Sequence, residues 1–124
     1  MEFKIEVVFV PVTDVDRAKA FYVDTLGLHC DMDGSPDADT RFVQVTPTGS
    51  ACSFAFGRGI GSQMEPGSQQ GIMAVVADAD AALAQLRAAG VDAQGVDEKQ
   101  WGRFVTFADP DGNGWTLQQL VPQG

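Results

Sequence analysis

The chain has 124 residues, of which 44% are hydrophobic, and it carries a formal net charge of −9 with an estimated pI of 4.2. This length suits one domain with enough apolar residues to fill a core. Binding of nucleic acid phosphates or anionic lipid relies on Lys and Arg, so the acidic balance disfavours both kinds of partner. No stretch approaches the roughly 20 apolar residues of a membrane-spanning helix. The first six residues lack the features of an export signal, and we expect a cytoplasmic protein.

The chain begins with a predicted strand and a predicted helix. Residues 3–12 alternate and then run apolar, with β-branched and aromatic side chains that are typical of a strand. Asp14 is a candidate N-cap, because its short side chain can accept hydrogen bonds from free amides of the first helical turn. Apolar residues then recur at helical spacing from Val15 to Leu26. Gly27 supplies the left-handed residue at which helices commonly end.

A turn and two strands are predicted next. Residues 31–40 hold four aspartates with a glycine and a proline, which indicates a solvated turn. Residues 41–46 and 51–56 have the composition of two strands joined by a tight turn. Residues 58–70 are rich in glycine and polar side chains, which predicts a linker.

The second half of the chain follows the same order. A strand over 71–77 precedes a helix that is capped by Asp78 and ended by Gly90. Further strands are predicted near 92–96, 102–108 and 114–121, and a tight turn over 109–114 separates the last two.

A faint self-copy at an offset of 64 residues links the two halves. The segment Val12–Ala18 is echoed by Val76–Ala82, and each copy opens a predicted helix. Each half is too small to bury a core alone, so the repeat predicts two modules, 1–57 and 71–124, within one domain. The groove between such modules is the first place to look for a functional site.

Paired motifs at the two ends of the chain resemble a known family. Val10-Pro-Val-Thr-Asp14, Arg17–Tyr22 and Leu26-Gly-Leu28 are similar to the opening of vicinal oxygen chelate proteins, and Phe107–Asn113 with Trp115-Thr-Leu117 to their closing strand. This superfamily includes glyoxalase I, bleomycin-resistance proteins and extradiol dioxygenases. The resemblance implies an α+β fold of two βαβββ modules in tandem, with curved sheets around a cleft that a homodimer completes.

The resemblance also says where a metal would bind. Enzymes of this superfamily hold a divalent metal in the cleft through His, Gln or Glu side chains. The corresponding positions in this chain are Val7, Ser53, Gly71 and Thr116. Valine and glycine have no metal-binding atoms in their side chains, and hydroxyls are weak ligands without carboxylates beside them. We therefore expect no metal and no cofactor.

The remaining histidine and cysteine side chains do not suggest another metal site. His29 is the sole histidine and follows the first predicted helix, where a surface position is expected. Cys30 and Cys52 lack the spacing of a zinc site or a disulfide framework, and we expect both to be buried or half-buried thiols.

Strand alternation in the family register assigns the side chains that face the cleft. The predicted ligand-binding residues are apolar, aromatic or neutral hydrogen-bonding side chains: Phe9, Gln44, Ser53, Ala55, Met73, Phe104, Thr116 and Gln118, with Arg58, Trp101 and Arg103 at a rim or lid. Trp115 is expected in the core or in a dimer interface. The set contains no general base and no activated nucleophile, so no catalytic residue is assigned.

Three hypotheses for function follow. The first is metal-independent binding of a hydrophobic or cationic aromatic small molecule, resembling the antibiotic-sequestering bleomycin-resistance branch. The second is a glyoxalase- or dioxygenase-like enzyme, a lyase, isomerase or oxygenase acting on a small organic substrate. The third is an interaction module whose own side chains fill the cleft.

Overall fold

The structure, a computed structural model, describes residues 1–60 and 63–122 and contains two four-stranded sheets, each with one helix. Gly61 and Ser62, which belong to the predicted linker, lie outside the described residues. The first module comprises β1 (Val7–Phe9), α1 (Val15–Lys19) with a π-helical continuation (Ala20–Thr25), β2 (His29–Asp37), β3 (Thr40–Thr46) and β4 (Ser53–Arg58). The second comprises β5 (Ile72–Val75), α2 (Ala79–Ala88), β6 (Gln94–Lys99), β7 (Gly102–Ala108) and β8 (Gly114–Leu120).

The two modules share one topology. The first sheet has the strand order β1-β4-β3-β2, and the second has the equivalent order β5-β8-β7-β6. In each sheet the strand before the helix pairs in parallel with the last strand, and the other pairs are antiparallel. The predicted α+β fold with two modules in tandem is therefore confirmed. Neither helix in the described part of the chain has the length and apolar character needed to cross a bilayer.

Both helices begin and end as the sequence predicts. The carboxylates of Asp14 and Asp78 accept hydrogen bonds from the backbone N–H three residues later, at 3.0 and 3.1 Å. Gly27 and Gly90 follow the helices with φ of 72° and 86°, in the left-handed region that favours glycine. Local sequence thus sets these four boundaries.

The helix-covered faces of the two modules share one core, rich in aromatic side chains. Trp115 is 7% exposed, and its ring meets those of Phe54 and Tyr22 edge-on at 4.9 and 5.8 Å. The Tyr22 hydroxyl donates to Asp109 at 2.7 Å and accepts from Trp115 Nε1 at 2.9 Å. Burial, together with Asp109, raises the pKa of Tyr22. A buried hydrogen-bond chain therefore joins the modules, and the expected core position of Trp115 is confirmed.

The first strand is shorter than predicted. Residues 1–6 have no regular secondary structure, and Phe3 and Ile5 are exposed. In the ladder with β4, Val7 pairs with Ser53, the first residue of that strand. Residues before Val7 therefore reach past the end of β4, and an apolar alternating pattern alone does not make a strand.

The prediction of a solvated turn over residues 31–40 is wrong, because β2 occupies residues 29–37 and pairs with β3. Exposed edge strands tolerate charged side chains, which explains the aspartates in this strand. Asp33 accepts hydrogen bonds from Arg41 and Lys19, and Arg41 also pairs with Asp16 in the first turn of α1. These bonds, chiefly those from Arg41, lower the pKa of Asp33 to about 2.

Candidate functional site

Each sheet has one face covered by its helix and an opposite face, which we call the far face. Val43, Val45, Phe54 and Phe56 pack in the core with residues of α1, so the residues between them in β3 and β4 lie on the far face. The same alternation in the second sheet puts Val105, Phe107 and Trp115 in the core. The far faces then carry Phe9, Phe42, Gln44, Thr46, Ser53 and Ala55 in the first module, and Met73, Phe104, Thr106, Thr116 and Gln118 in the second.

Cross-strand register groups the predicted residues of the first module into a row. Phe9 lies opposite Ala55, Ala55 opposite Gln44, and Gln44 opposite Met32. Side chains in such directly opposed positions contact one another on one face of a sheet. The row therefore combines an aromatic ring, a methyl group, a thioether and one carboxamide.

A chain of polar side chains occupies the next position along the far face of the first module. The Ser53 and Thr46 hydroxyls are 2.5 Å apart, and the Thr46 hydroxyl also donates to Asp31. His29 Nε2 is 3.5 Å from Asp31 Oδ1. A register shift between Cys30 and Met32 places Asp31 at a β-bulge. Ser53 is 7% exposed, whereas the His29 side chain is largely exposed.

The second module has a corresponding row. Met73 lies opposite Thr116, Thr116 opposite Thr106, and Thr106 opposite Gln94. Gln94, Thr106 and Thr116 also line a hollow of about 340 Å³ together with Gln70. Two hydroxyls and two carboxamides therefore converge on this face.

Gln118, Trp101 and Phe104 lie farther along the second sheet. Gln118 pairs with Phe104 in the ladder, and its Nε2 donates to the carbonyl of Trp101 at 3.1 Å. The Trp101 side chain is 63% exposed in the turn between β6 and β7. This hydrogen bond joins the backbone of Trp101 at the sheet end to a residue of the far face.

The two arginines of the predicted rim have different surroundings. Arg58 is exposed at the end of β4 and lines, with Phe9, a hollow of about 480 Å³. Arg103 instead lies on the helix-covered face, where its guanidinium pairs with Asp80 of α2 at 2.8 Å and with Glu98 at 2.9 Å. The expected place of Arg103 beside the cleft is therefore corrected: it shares the face of Val105, two residues away, and is held by carboxylates.

A larger hollow lies between the modules, where β1 and β4 approach β5. It measures about 600 Å³ and is lined by Ser53 and Met73 together with mostly apolar residues. Drug-sized ligands occupy cavities of roughly 300–1,000 Å³ lined by apolar side chains with few polar groups. This hollow brings predicted residues of the two modules into one place.

The residues at the metal positions do not fit a metal. Val7 and Gly71 offer no side-chain donor, and the Ser53 hydroxyl is engaged with Thr46. Within residues 1–60 and 63–122, no three His, Cys, Asp or Glu side chains come together as a metal-binding group. Both cysteines are free thiols of intermediate burial. The four positions supply two hydroxyls and none of the imidazole, carboxylate or thiolate groups that divalent metals prefer.

Sequence reasoning missed Asp31, Thr46, Gln70 and Gln94, all of which line or support the far faces. Alternation in β2 would not have found Asp31, because the β-bulge at this residue breaks the alternation between His29 and Met32. Thr46 ends the predicted strand 41–46, and its position two residues after Gln44 puts it on the same face. For Gln70 no sequence pattern was available, because it reaches the second sheet from outside any strand.

The chain matches a family model and several solved structures. The model described as Glyoxalase/Bleomycin resistance protein/Dioxygenase superfamily covers residues 4–117. The structure of TnmS3, an antibiotic binding protein from Streptomyces sp. CB03234, is 36% identical and has a TM-score of 0.87, with 97% of this chain and 98% of that chain covered. A glyoxalase/bleomycin resistance protein from the same Streptomyces strain is 37% identical with a TM-score of 0.81, covering 94% of this chain and all (100%) of that chain.

A curated bacterial protein is a more distant relative. The uncharacterized protein YetH of Bacillus subtilis (strain 168) is 26% identical over 120 residues, which are 94% of this chain and 98% of that protein. These matches extend over nearly the whole chain and agree with the topology of the two sheets. The chain therefore belongs to the glyoxalase/bleomycin resistance protein/dioxygenase superfamily.

Proposed function

We propose that this protein binds a planar, hydrophobic or cationic aromatic small molecule without a metal, and that it protects by sequestering that molecule. The observation that carries the proposal is the make-up of the far faces. Phenylalanine, methionine and alanine side chains alternate there with hydroxyls and carboxamides. Aromatic and thioether surface binds flat rings, and a few polar anchors orient them.

Two further features support this function. TnmS3, to which the chain is 36% identical, is an antibiotic binding protein. The net charge of −9 would favour the approach of a cationic ligand by long-range attraction. The residues that we assign to the ligand are Phe9, Gln44, Ser53, Ala55, Arg58, Met73, Trp101, Phe104, Thr116 and Gln118; Arg103 is left out because of its ion pairs on the other face.

We further propose that a second copy of the chain completes the site. Met73, Val75 and Leu120 belong to the strands of the second sheet and are 57%, 65% and 56% exposed, and Met32 of the first sheet is 53% exposed. Exposed apolar side chains on the faces of sheets are candidates for an interaction surface. Association of two copies would cover these side chains and enclose the ligand.

Titration of intrinsic tryptophan fluorescence tests the binding function. The ligand panel would contain bleomycin-type, mitomycin-type and other polycyclic aromatic compounds. We expect saturable quenching by at least one of them, reduced in amplitude in Trp101→Phe, which leaves only the buried Trp115 as reporter. If no compound in the panel produces saturable quenching, the proposed function is wrong.

A pair of variants connects binding to the far face. Phe9→Ala should weaken the best ligand about tenfold, because a ring in the row with Ala55 and Gln44 is lost. Phe3→Ala is the matched control, since Phe3 is 80% exposed and lies outside the row. Equal effects of both substitutions would contradict the assigned site.

Sedimentation equilibrium tests the second copy. The wild type should sediment as a dimer, and Met73→Glu with Val75→Glu should sediment as a monomer with a weakened ligand affinity. A monomeric wild type that binds ligand with full affinity would refute the two-copy site and leave the binding function intact.

A further inference from the structure

The polar chain Ser53–Thr46–Asp31 on the first sheet has a defined direction. Thr46 stands between the other two, with its Oγ1 bonded to Asp31 on one side and 2.5 Å from Ser53 Oγ on the other. A hydroxyl has one proton to donate and two lone pairs with which to accept. An ionised carboxylate has no proton, so it can only accept. The single proton of Thr46 is therefore committed to Asp31.

This commitment determines the role of Ser53. With the Thr46 proton on Asp31, the 2.5 Å contact between the two hydroxyls can only be made by the Ser53 proton. The Ser53 hydroxyl then keeps only lone pairs for any other partner. Charge-assisted hydrogen bonds are short and roughly twice as strong as neutral ones, so Asp31 at the end of the chain makes this direction the stable one.

Ser53 presents those lone pairs in an apolar setting. It is 7% exposed and lines the hollow of about 600 Å³ beside Ile5, Val8 and Met73. A group that enters this hollow loses water, and a polar group there needs a partner inside the protein. A ligand hydroxyl or ammonium would donate a hydrogen bond to the Ser53 oxygen. An ether or carbonyl oxygen has no proton to donate, so it could form no hydrogen bond with Ser53.

The second module lacks an equivalent of the hydrogen-bond chain from Ser53 through Thr46 to Asp31. The positions equivalent to Thr46 and Ser53, two residues along from the row, are Ala108 and Gly114, which pair in the second sheet. A Cβ on Gly114 would come within 2.3 Å of Gln70 Oε1, so the Gln70 side chain already fills that place. The hydroxyl of Ser53 therefore has no counterpart in the second module. A ligand that bonds to Ser53 would consequently bind in one preferred orientation.

We propose that Ser53, held as an acceptor by Thr46 and Asp31, selects ligands that present a hydrogen-bond donor, a hydroxyl or a protonated amine, at this end of the site. The inference rests on the proposed binding function and specifies the chemistry of the ligand. Thr46 and Asp31 act as positioning residues, because their effect on the ligand passes through Ser53.

The test compares 2-naphthol, which donates, with its methyl ether 2-methoxynaphthalene, which only accepts. Both are fluorescent, so direct titration gives a dissociation constant for each. The wild type should prefer 2-naphthol about three- to tenfold, the size of one neutral hydrogen bond. Ser53→Ala should abolish the preference by weakening 2-naphthol alone.

Thr46→Val and Thr46→Ser distinguish this mechanism from simple crowding by the methyl group. Valine keeps the shape of threonine but frees the Ser53 proton, so Ser53 can now donate to the ether and the preference should fall to near one. Serine restores the middle hydroxyl and should restore the preference. Near-ultraviolet circular dichroism would verify that each variant keeps its packed core.

The outcomes separate the two proposals. If the wild type binds compounds of the polycyclic panel but does not prefer 2-naphthol, or if Thr46→Val keeps the preference, the selection by Ser53 is refuted and the binding function stands. If the wild type binds neither the panel nor the naphthalenes, both are refuted.

Discussion

Two turns occupy equivalent positions in the two modules but make different contacts. One lies between β3 and β4, and the other lies between β7 and β8. The first, residues 47–52, is closed by local bonds, such as the one from Ser50 N to the carbonyl of Pro47, and it borders the hollow between the modules. The second, residues 109–113, is built into the core. Asn113 is fully buried and donates to the carbonyl of Pro11 and to Asp109 at 2.8 Å each.

The contrast shows how a repeat becomes a single folded unit. Asp109 and Asn113 bond to Tyr22, to Pro11 and to the backbone of Gln69, so the second turn holds the first module and the segment before β5. Asp111 adds bonds to Thr13 and Arg17 at 2.6 and 3.1 Å. One copy of the turn therefore joins the modules, while the other leaves space beside the predicted ligand residues.

Of the substitutions that test this comparison, removal of the Asn113 side chain should lower the free energy of unfolding most. Asn113→Ala would leave the N–H of Gln69 without its partner and would remove one donor each from Asp109 and from the carbonyl of Pro11, which keeps its bond from the N–H of Gly67. A buried group that loses its partner costs about 1–3 kcal/mol. We expect the free energy of unfolding, measured by urea denaturation, to fall by roughly 2–4 kcal/mol. Thr48→Ala in the other turn is exposed and should change it by less than about 0.5 kcal/mol. Similar losses for both would show that the turns are equally important.

Tyr22→Phe should have a smaller effect, about 1–3 kcal/mol, since it leaves Trp115 Nε1 and one oxygen of Asp109 with one partner fewer. It also yields a pH prediction. The pKa of Tyr22 is raised in the folded protein, so its contribution to stability is complete below about pH 10 and is lost as the pH rises above that. Between pH 8 and pH 11, the melting temperature should fall more steeply with pH for the wild type than for Tyr22→Phe. Parallel curves would contradict a buried neutral phenol.

The two helix N-caps are a feature in which the modules are alike, so the equivalent substitutions should have equal effects on stability. Asp14→Ala and Asp78→Ala each remove one capping hydrogen bond and should each cost about 1 kcal/mol in urea denaturation. Replacement by asparagine, which caps equally well, should cost far less. A loss confined to one module would mean that the caps are not equivalent.

The smallest effect concerns the ion pairs that join helix and strand in both modules. Arg41 pairs with Asp16 and Asp33, and Arg103 pairs with Asp80 and Glu98. The pKa of Asp33 is lowered to about 2, so its contribution is present above pH 4 and lost as the pH falls from 4 to 2. Asp33→Asn should lower the free energy of unfolding at pH 7 by about 1 kcal/mol or less. It should also reduce the decrease in melting temperature between pH 4 and pH 2, which we call the acid limb. An unchanged acid limb would show that solvent screens this pair completely.

Much of the local structure follows from sequence alone. Asp14 and Asp78 begin the helices and Gly27 and Gly90 end them, because these boundaries depend on side-chain acceptors and a left-handed residue within a few positions. The faces of β1, β4, β5 and β8 follow from alternation, which is a geometric property of any strand. Those two rules, with the 64-residue repeat, predict two similar modules, whereas the βαβββ arrangement and the register of the far-face residues were implied by the family resemblance.

Contacts between distant segments decided the rest. Residues 31–37 form a strand because β3 offers a partner and Lys19 and Arg41 neutralise the aspartates, and a bulge then turns Asp31 towards Thr46. Arg103 points to α2 because Asp80 lies there, although its sequence neighbours suggested a rim. No local pattern encodes these outcomes, since each depends on which charge or hydroxyl the folded chain brings within about 3 Å. The sequence thus determined the frame of this protein, and tertiary packing determined the polar chemistry of its candidate site.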